Sequence, residues 1–555
     1  MMRPLSPLAP LAALLFPISV PSAQTIEPLI LTGDLVPGTG GTLSGITDVA
    51  INDDGEWILR SSVSTSGGSI EVAILNGAAV LNQGDILFDP PGLAVQKFDD
   101  LDLGSDGSIW CNIDTDAGNA MDEIMYRNLV MIMREGDPLI STDVPSGTDV
   151  VDVDGFSLSV DGSLFILGDI DSPLVSGTSE ATLIRQRFDA SGNLIGEDVL
   201  ILEGDSIPGS NDLVRDVGTN IGAHDVAGEG DFWIAYARSD GASSGDEMVW
   251  VNGAPVAMEN STGPVLASVW DSLSANAVDI NQNGDYVFRG AYQIFGEAVQ
   301  NVIMLNDQIR FEEGDTSASM APNAFESFGS NTPLFISDYG RIIFYARTDN
   351  TDNAKDDGYF LNDRFLVQEN TTPIGTNVIT NIPAGPNALM ASPNGRWVIF
   401  EASLGDGREG AFRIDLGLIR PMESCGTNEA TLVETGDGLP LLNSTVTFDL
   451  DGAQDVGMIP VFLLSTAAAP TWPPCGVMLP FGELLIDVSS GNPQVILTGA
   501  PNMGGPTEFQ VTVPNDTNLL GRDYFAQGLF WDLGDNSPAE NFRLSNGLQI
   551  TLALP

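Results

Sequence analysis

Short apolar runs alternate with turn residues along most of this chain. Ile46-Thr47-Asp48-Val49-Ala50-Ile51 has the period-two pattern of a strand, and Trp57-Ile58-Leu59 opens a second run after a tight turn. Val72-Ala73-Ile74-Leu75 predicts a third strand and Ala78-Ala79-Val80-Leu81 a fourth, with Asn76-Gly77 between them. Asn-Gly and Asp-Gly between apolar runs signal two-residue hairpins, because a type I′ turn needs positive φ at both central residues. The set of four runs then recurs. Its marker is a turn ending in Gly, followed by an acidic, basic or small residue and then an apolar one. It reads Asp54-Gly55-Glu56-Trp57, Asp106-Gly107-Ser108-Ile109, Asp161-Gly162-Ser163-Leu164 and Glu229-Gly230-Asp231-Phe232. It continues as Asn283-Gly284-Asp285-Tyr286, Tyr339-Gly340-Arg341-Ile342 and Asn394-Gly395-Arg396-Trp397. The Gly-to-Gly intervals are 52, 55, 68, 54, 56 and 55 residues. Four antiparallel strands in a unit of about 55 residues describe one blade of a β-propeller.

A seam after each fourth strand repeats as well: Gly33-Asp34, Gly84-Asp85, Glu135-Gly136-Asp137, Glu203-Gly204-Asp205, Glu259-Asn260, Glu313-Gly314-Asp315 and Glu369-Asn370. The last unit ends after Ala411-Phe412-Arg413-Ile414, one strand short, while Ile26 to Leu31 supplies an orphan strand before the first seam. Ring closure by that N-terminal strand removes the edges an open array would leave. The expected fold is therefore all-β: a seven-bladed propeller over residues 24–416, closed by its N-terminal strand. The 68-residue interval places a lengthened outer hairpin in the third blade, around Arg185-Gln186-Arg187-Phe188 and Ala190-Ser191-Gly192-Asn193. From about residue 417 the period vanishes, and a series of short strand-like runs predicts a C-terminal β-sandwich over residues 417–555.

Ile51-Asn52-Asp53-Asp54-Gly55-Glu56-Trp57 and Ile280-Asn281-Gln282-Asn283-Gly284-Asp285-Tyr286-Val287-Phe288 resemble the tandem-repeat proteins named for an Asn-x-x-Gly-x-x-Ala-Phe motif. The resemblance covers about residues 26–416; the Asn is kept in two of the seven turns, and other apolar pairs mostly replace the Ala-Phe end. It implies an exported bacterial protein with a variable C-terminal module and no assigned activity. The stretch from Leu519-Leu520-Gly521 through Gln527 to Leu544-Ser545-Asn546-Gly547-Leu548 resembles a C-terminal β-domain common in exported proteins of environmental bacteria. That second resemblance also implies an address rather than a reaction.

Charge narrows the partners. The 76 Asp and Glu against 21 Lys and Arg give a net charge of −55, which repels nucleic acid and anionic membranes. Residues 1–23 read as a secretory signal: Arg3, an apolar stretch from Leu8 to Val20, and small residues up to Ala23. No later run is long and apolar enough to suggest a transmembrane segment. The expected address is secreted, periplasmic or cell-surface. In such a compartment Cys425 and Cys475 can pair, whereas Cys111 in Ser108-Ile109-Trp110-Cys111-Asn112-Ile113 reads as a buried thiol.

Candidate chemistry is sparse. His224 is the one histidine, on the expected inner strand of the fourth blade, and reads as structural or channel-lining. Asp279-x-Asn281-x-Asn283-Gly284-Asp285 matches the first half of an oxygen-ligand loop, so Asp279, Asn281, Asn283 and Asp285 are the candidate calcium ligands. The twelfth position, where an EF-hand carries Glu, is Gly290, and turn chemistry alone also accounts for these residues. Asp102-x-Gly104-x-Asp106-Gly107 and Asp152-x-Asp154 are poorer versions. The seam acids form a second set, expected on one face around the axis, with self-capping of each turn as the competing reading. Trp233, Trp250, Trp270 and Trp397 serve as blade core or as sugar-stacking platforms. Two functional readings stand: a non-catalytic exported protein that binds a ligand such as a polysaccharide or cell-surface component, and a calcium-assisted polysaccharide lyase or hydrolase.

Overall fold

The computed structural model describes residues 25–554, apart from 119–120, 172–179, 190–191, 219–225, 242–244, 318, 330, 426–427, 436–438, 453, 490–494, 521 and 534–540. The sequence-predicted signal and His224 lie outside the described residues. Those described form an all-β molecule whose regular elements, two short 3-10 turns aside, are antiparallel strands. None of them forms a helix long and apolar enough to cross a membrane.

Seven sheets follow one another in chain order up to residue 415. The first runs from Gly41–Ile51 through Trp57–Thr65 and Gly68–Leu75 to Ala78–Asn82. The second uses Val95–Leu103, Ile109–Thr115, Glu123–Arg127 and Val130–Arg134. The third uses Asp149–Leu158, Leu164–Asp171, Glu180–Phe188 and Leu194–Leu202, so its outer hairpin is the lengthened one. The fourth to sixth repeat the plan, ending at Met258, Glu312 and Gln368. In the seventh, Trp397–Leu404 pairs with Glu409–Asp415, and that strand pairs with the N-terminal Ile26–Leu31. The chain's first described strand thus completes its last repeat, with Ile26 opposite Ile414 and Leu31 opposite Gly410.

The second strand of each repeat reads as a near-continuous apolar run because both of its faces are covered. Successive side chains point to opposite faces, so alternate residues serve alternate neighbours. Ile58 joins Phe98 and Ile113 of the second sheet, whereas Leu59 joins Ile399 and Ala411 of the seventh. Trp110 packs with Phe156 and Ile166, and Leu167 with Trp233 and Trp250. Ile234 packs with Phe288, Val287 with Phe344, and Ile343 with Phe400. Every sheet therefore shares a buried cluster with the next, and the seventh shares one with the first.

The motif turns carry contacts between successive repeats. All seven motif glycines have positive φ, from +60° at Gly230 to +82° at Gly162. In five of them the missing Cβ also faces the preceding repeat. A Cβ on Gly55 would stand 2.7 Å from the Trp397 ring, one on Gly107 2.9 Å from Glu56 Oε2, and one on Gly395 2.6 Å from Ser337 Cβ. A Cβ on Gly284 would stand 3.0 Å from the Phe232 ring, and one on Gly230 at an ordinary 3.6 Å from Asp161 Oδ2. The Trp397 ring lies beside Arg396 and Arg413, each 4.7 Å from its centroid, and Arg413 donates to the Gly55 carbonyl at 2.5 Å.

The outer hairpins turn as the Asn-Gly signals predict: Asn76, Asn252, Asn306 and Asn362 have φ near +50°. Each Asn does a second task. Its Oδ1 accepts from a backbone N–H at the start of the strand after the motif turn: Trp57 at 3.0 Å, Trp233 at 2.8 Å, Tyr286 at 3.0 Å and Ile342 at 3.1 Å. Asn128 does the same for Ile109 at 2.9 Å.

Beyond residue 417 two sheets pack face to face as a β-sandwich. Leu418–Pro421, Phe542–Thr551, Asp523–Trp531, Ile459–Ser465 and Val495–Thr498 form one; Thr431–Glu434, Thr445–Asp451 and Thr507–Thr512 form the other. Phe448, Leu450 and Phe509 of the smaller sheet meet Phe462, Phe530 and Ile550 of the larger. Cys425 and Cys475 are disulfide-bonded with Cα atoms 5.3 Å apart, and Cys111 is a buried free thiol.

Two outcomes follow. Gly162→Ala, which meets open space, costs about 1–2 kcal/mol from its left-handed backbone alone; Gly55→Ala adds overpacking against Trp397, for a total of about 2–5 kcal/mol. Denaturant titration of the two variants checks the order. Replacing both Cys425 and Cys475 by Ser releases a loop with a sequence separation of 50, which destabilises the C-terminal sandwich by about 4 kcal/mol on the chain-entropy account. Hydrogen exchange resolved by region should place the loss in residues 417–555.

Candidate functional site

In each of the seven sheets the strand that precedes the motif turn reaches one cavity of about 130 Å³. Its lining includes Asp48, Asp100, Asp102, Glu229, Asp279 and Asp338, one or two acids from each of five sheets, and among the described residues no Lys, Arg, Tyr or His. Strand ends converge here because the motif turn follows at once in every repeat. Polar side chains at this end tie one sheet to the next. Asn52 Nδ2 donates to the Gly104 carbonyl at 3.3 Å, Ser105 Oγ to Val160 O at 2.9 Å, and Val160 N–H to Glu229 Oε2 at 2.9 Å. The fifth sheet reaches the sixth through Asn281 Nδ2 to Ser337 O at 3.0 Å and Asn283 Nδ2 to Asp338 O at 2.7 Å. Asp338 N–H donates to Pro393 O at 2.8 Å, and Asn394 N–H to Asp53 Oδ1 at 2.9 Å, which links the seventh sheet to the first.

Burial dominates the electrostatics. Removing a carboxylate from water penalises its charged form, so its pKa climbs. Burial raises Asp102 and Asp279 to about 7, Asp338 to about 6 and Glu229 to about 9. Burial also raises Asp48, to about 7, with the Arg60 guanidinium opposing and the Asp102 charge adding; Asp100 is raised by burial and by the charge of Asp48. Hydrogen bonds to the carboxylates work against this: Asp279 accepts from Ile336 N at 2.7 Å and from Ile280 N at 2.9 Å.

The four candidate calcium residues come together around one turn, where protein donors take oxygens of Asp279, Asn281 and Asp285. Asn281 Oδ1 accepts from the backbone N–H of Asn283 and of Asp285, both at 3.0 Å. Asp285 Oδ1 accepts from Asn306 Nδ2 at 2.9 Å, and Asp279 uses both carboxylate oxygens as above. Asp106, in one of the poorer loops, pairs with Arg127 at 2.8 Å. The seam aspartates cap their own turns. Oδ2 of Asp34, Asp85, Asp137, Asp205 and Asp315 accepts from the backbone N–H three residues earlier, at 2.8–2.9 Å. They sit near the start of each following inner strand; Asp34, for example, pairs with Leu43, whereas Asp48 near the other end of that strand lines the cavity. Seam recurrence thus has a local cause. Trp233, Trp250 and Trp270 are core, at 4–6% exposure.

Among the described residues two further acidic groups have oxygens within 4.8 Å of one another: Asp99 with Asp114 and Glu123, and Asp356 with Asp357 and Glu369. Each holds a cationic side chain, Lys97 in the first and Arg347 in the second. The cavity acids themselves were not singled out by sequence as a set. Asp48 and Asp100 stand in ordinary strand patterns, and Asp102 entered only as part of a turn loop. Their shared residence appears only when the seven strands converge.

No family model and no curated protein matches this chain. Among solved structures, the native conformation of E. coli alpha-2-macroglobulin aligns with 96% of this chain and 40% of that one, at 11% identity and a TM-score of 0.15. A likeness of that size carries no argument about fold or function.

Glu229 generates a pH test. It faces Asp161, Asp279 and Asp338, and burial lifts it from 4.5 to about 9. The folded state keeps a proton that the unfolded chain releases, so this contribution is complete below pH 4.5 and lost as pH rises toward 9. Glu229→Gln keeps an oxygen for Val160 N–H and removes the titration. Its Tm should therefore gain on wild type as pH is raised from 5 to 9, which differential scanning calorimetry across that range checks.

Proposed function

We propose that the seven sheets close into a seven-bladed β-propeller, and that the mature protein is an exported, non-catalytic binding or structural module whose partner is a polysaccharide or a cell-surface component. The observation that carries the reading is the single cavity lined by the inner strands of all seven sheets. The pairing of the N-terminal strand with Glu409–Asp415, and the cluster joining Leu59 to Ile399 and Ala411, support closure. The Cys425–Cys475 disulfide supports an oxidising compartment outside the cytoplasm.

The cavity also speaks to chemistry. At about 130 Å³ it lies below the range of about 300–1,000 Å³ typical of small-molecule sites. A polymer chain has no room to thread it. Glu229, Asp279 and Asp338 already accept backbone N–H bonds that join neighbouring sheets, so they serve as struts. Recognition of a large partner then falls to the loop-built faces, the usual working surfaces of propellers.

Incubating the purified protein with a panel of neutral and acidic polysaccharides, with and without calcium, tests this. Size-exclusion profiles of every polymer should stay unchanged. Shortening of any polymer would replace the reading with the alternative, a calcium-assisted lyase or hydrolase.

A further inference from the structure

A second cavity, of about 400 Å³, opens where the fifth and sixth repeats meet the C-terminal sandwich. Its volume falls in the range of about 300–1,000 Å³ typical of small-molecule sites. Its walls are held together by packing: Leu439, Leu441 and Ala553 of the sandwich share a buried cluster with Leu361 and Leu366 of the sixth repeat. The lining breaks the repeat pattern. Tyr339 stands where the other six motif turns carry Asp, Glu or Asn, and Arg341 follows two positions on. In the seventh turn, which also has Arg at that place, Arg396 pairs with Asp415 at 3.0 Å. Arg341 has no such partner. Its Nη1 donates to the carbonyls of Gly395 at 2.8 Å and Gly417 at 2.9 Å, and its Nε and Nη2 have no acceptor among the described residues. Arg310, also in the lining, is exposed and lies 5.1 Å from the centroid of the Phe311 ring, with no ion pair among the described residues. Acids outnumber Lys and Arg in this chain by 76 to 21, so two arginines without a paired carboxylate in one pocket stand out. Glu434, the one acid in the described lining, acts on Arg341 through its charge and makes no ion pair with it. Tyr339 is 36% exposed, and its hydroxyl has no partner among the described residues.

We propose that this pocket takes a uronate residue of an acidic oligosaccharide. The inference names the class of polysaccharide in the function proposed above and rests on that reading. Arg341 supplies the carboxylate contact, because the Nε and Nη2 edge of a guanidinium presents two parallel N–H groups that match a carboxylate. Arg310 adds a second positive charge. A pyranose ring has an apolar C–H face and a rim of hydroxyls. The Tyr339 ring and the side chains of Leu432 and Leu548 offer the first an apolar surface, and the Tyr339 hydroxyl offers the second a hydrogen bond. A neutral sugar would leave the Arg341 fork unanswered, and an inorganic anion would leave the apolar wall uncovered. The net charge of −55 repels an anion at long range, but salt screens that repulsion beyond about 8 Å at physiological ionic strength, and the arginines act at contact.

Calorimetric titration of the full chain with a galacturonate trimer, and with the neutral galactose trimer, tests it at physiological salt. The acidic trimer should bind at one site per chain, and the neutral one about tenfold more weakly or not at all. Arg310→Gln, at an exposed position, should weaken the acidic trimer by about tenfold. Arg341→Lys, which keeps the charge and loses the fork, should weaken it as much. Arg408→Gln, in the seventh sheet's hairpin and paired with Asp406, should leave binding unchanged. Should Arg341→Lys fail to fold, Arg310→Gln decides alone. The proposal is overturned if the acidic trimer does not bind, if the neutral trimer binds as tightly, or if Arg310→Gln binds as wild type does. Retention on immobilised polysaccharides separates it from the reading beneath it. Equal retention of wild type and both pocket variants removes this site alone, and no retention of wild type removes both readings.

Discussion

Seven glycines set the geometry on which the rest depends. Each holds a left-handed backbone between the first and second strands of its repeat, and that turn decides where the inner strand stops. In three repeats the absent Cβ is also what lets the preceding repeat approach, at Gly395 on Ser337, Gly55 on Trp397 and Gly284 on Phe232. The second of these joins the last repeat to the first, and Arg413 closes over it from the strand that pairs with the N-terminal one. Short turns of like shape bring seven inner strands to a common end. The acid-lined cavity is a consequence of that convergence.

The same constraint explains the polar residues at the cavity. Turn termini leave backbone groups that need partners, and the available side chains come from the neighbouring sheet. Asn281, Asn283, Asp279 and Glu229 spend their hydrogen bonds across sheet boundaries. A buried carboxyl that accepts such a bond is a strut whose pKa records the competition between burial, which raises it, and the bond, which lowers it. Asp48 and Asp100 differ because one oxygen of each is left over. The two leftover oxygens lie at the junction of the first two sheets, whereas the recurrent seam aspartates cap their own turns.

Much of the architecture was legible in the chain. Asn-Gly pairs at the outer hairpins and Gly at the motif turns announce positive φ, and that demand is local. The alternating and continuous apolar runs announce strands buried on one or both faces. The missing strand after Ile414 and the spare one at Ile26 foretold their pairing. The candidate site was less legible. Asp279, Asn281, Asn283 and Asp285 look like a calcium loop because hairpin turns and calcium loops both select short oxygen-bearing side chains. Only the partners in the sixth sheet and at Asn306 show how those oxygens are employed.

By itself the sequence determined the class of the fold, the number and length of the repeats, the capping of seams and hairpins, and the acidity of the surface. These follow from interactions between residues a few positions apart, or from composition. Tertiary structure alone decided which acids share a cavity. Asp48 and Asp100 are brought together by packing between sheets, and no local pattern marks either. It also decided that Cys425 meets Cys475, that Trp397 lies beside two arginines against Gly55, and that one oxygen of each of Asp48 and Asp100 is buried in the same cavity. Such pairings depend on which faces of distant strands are pressed together, and side-chain spacing along one strand carries no record of its neighbour's register.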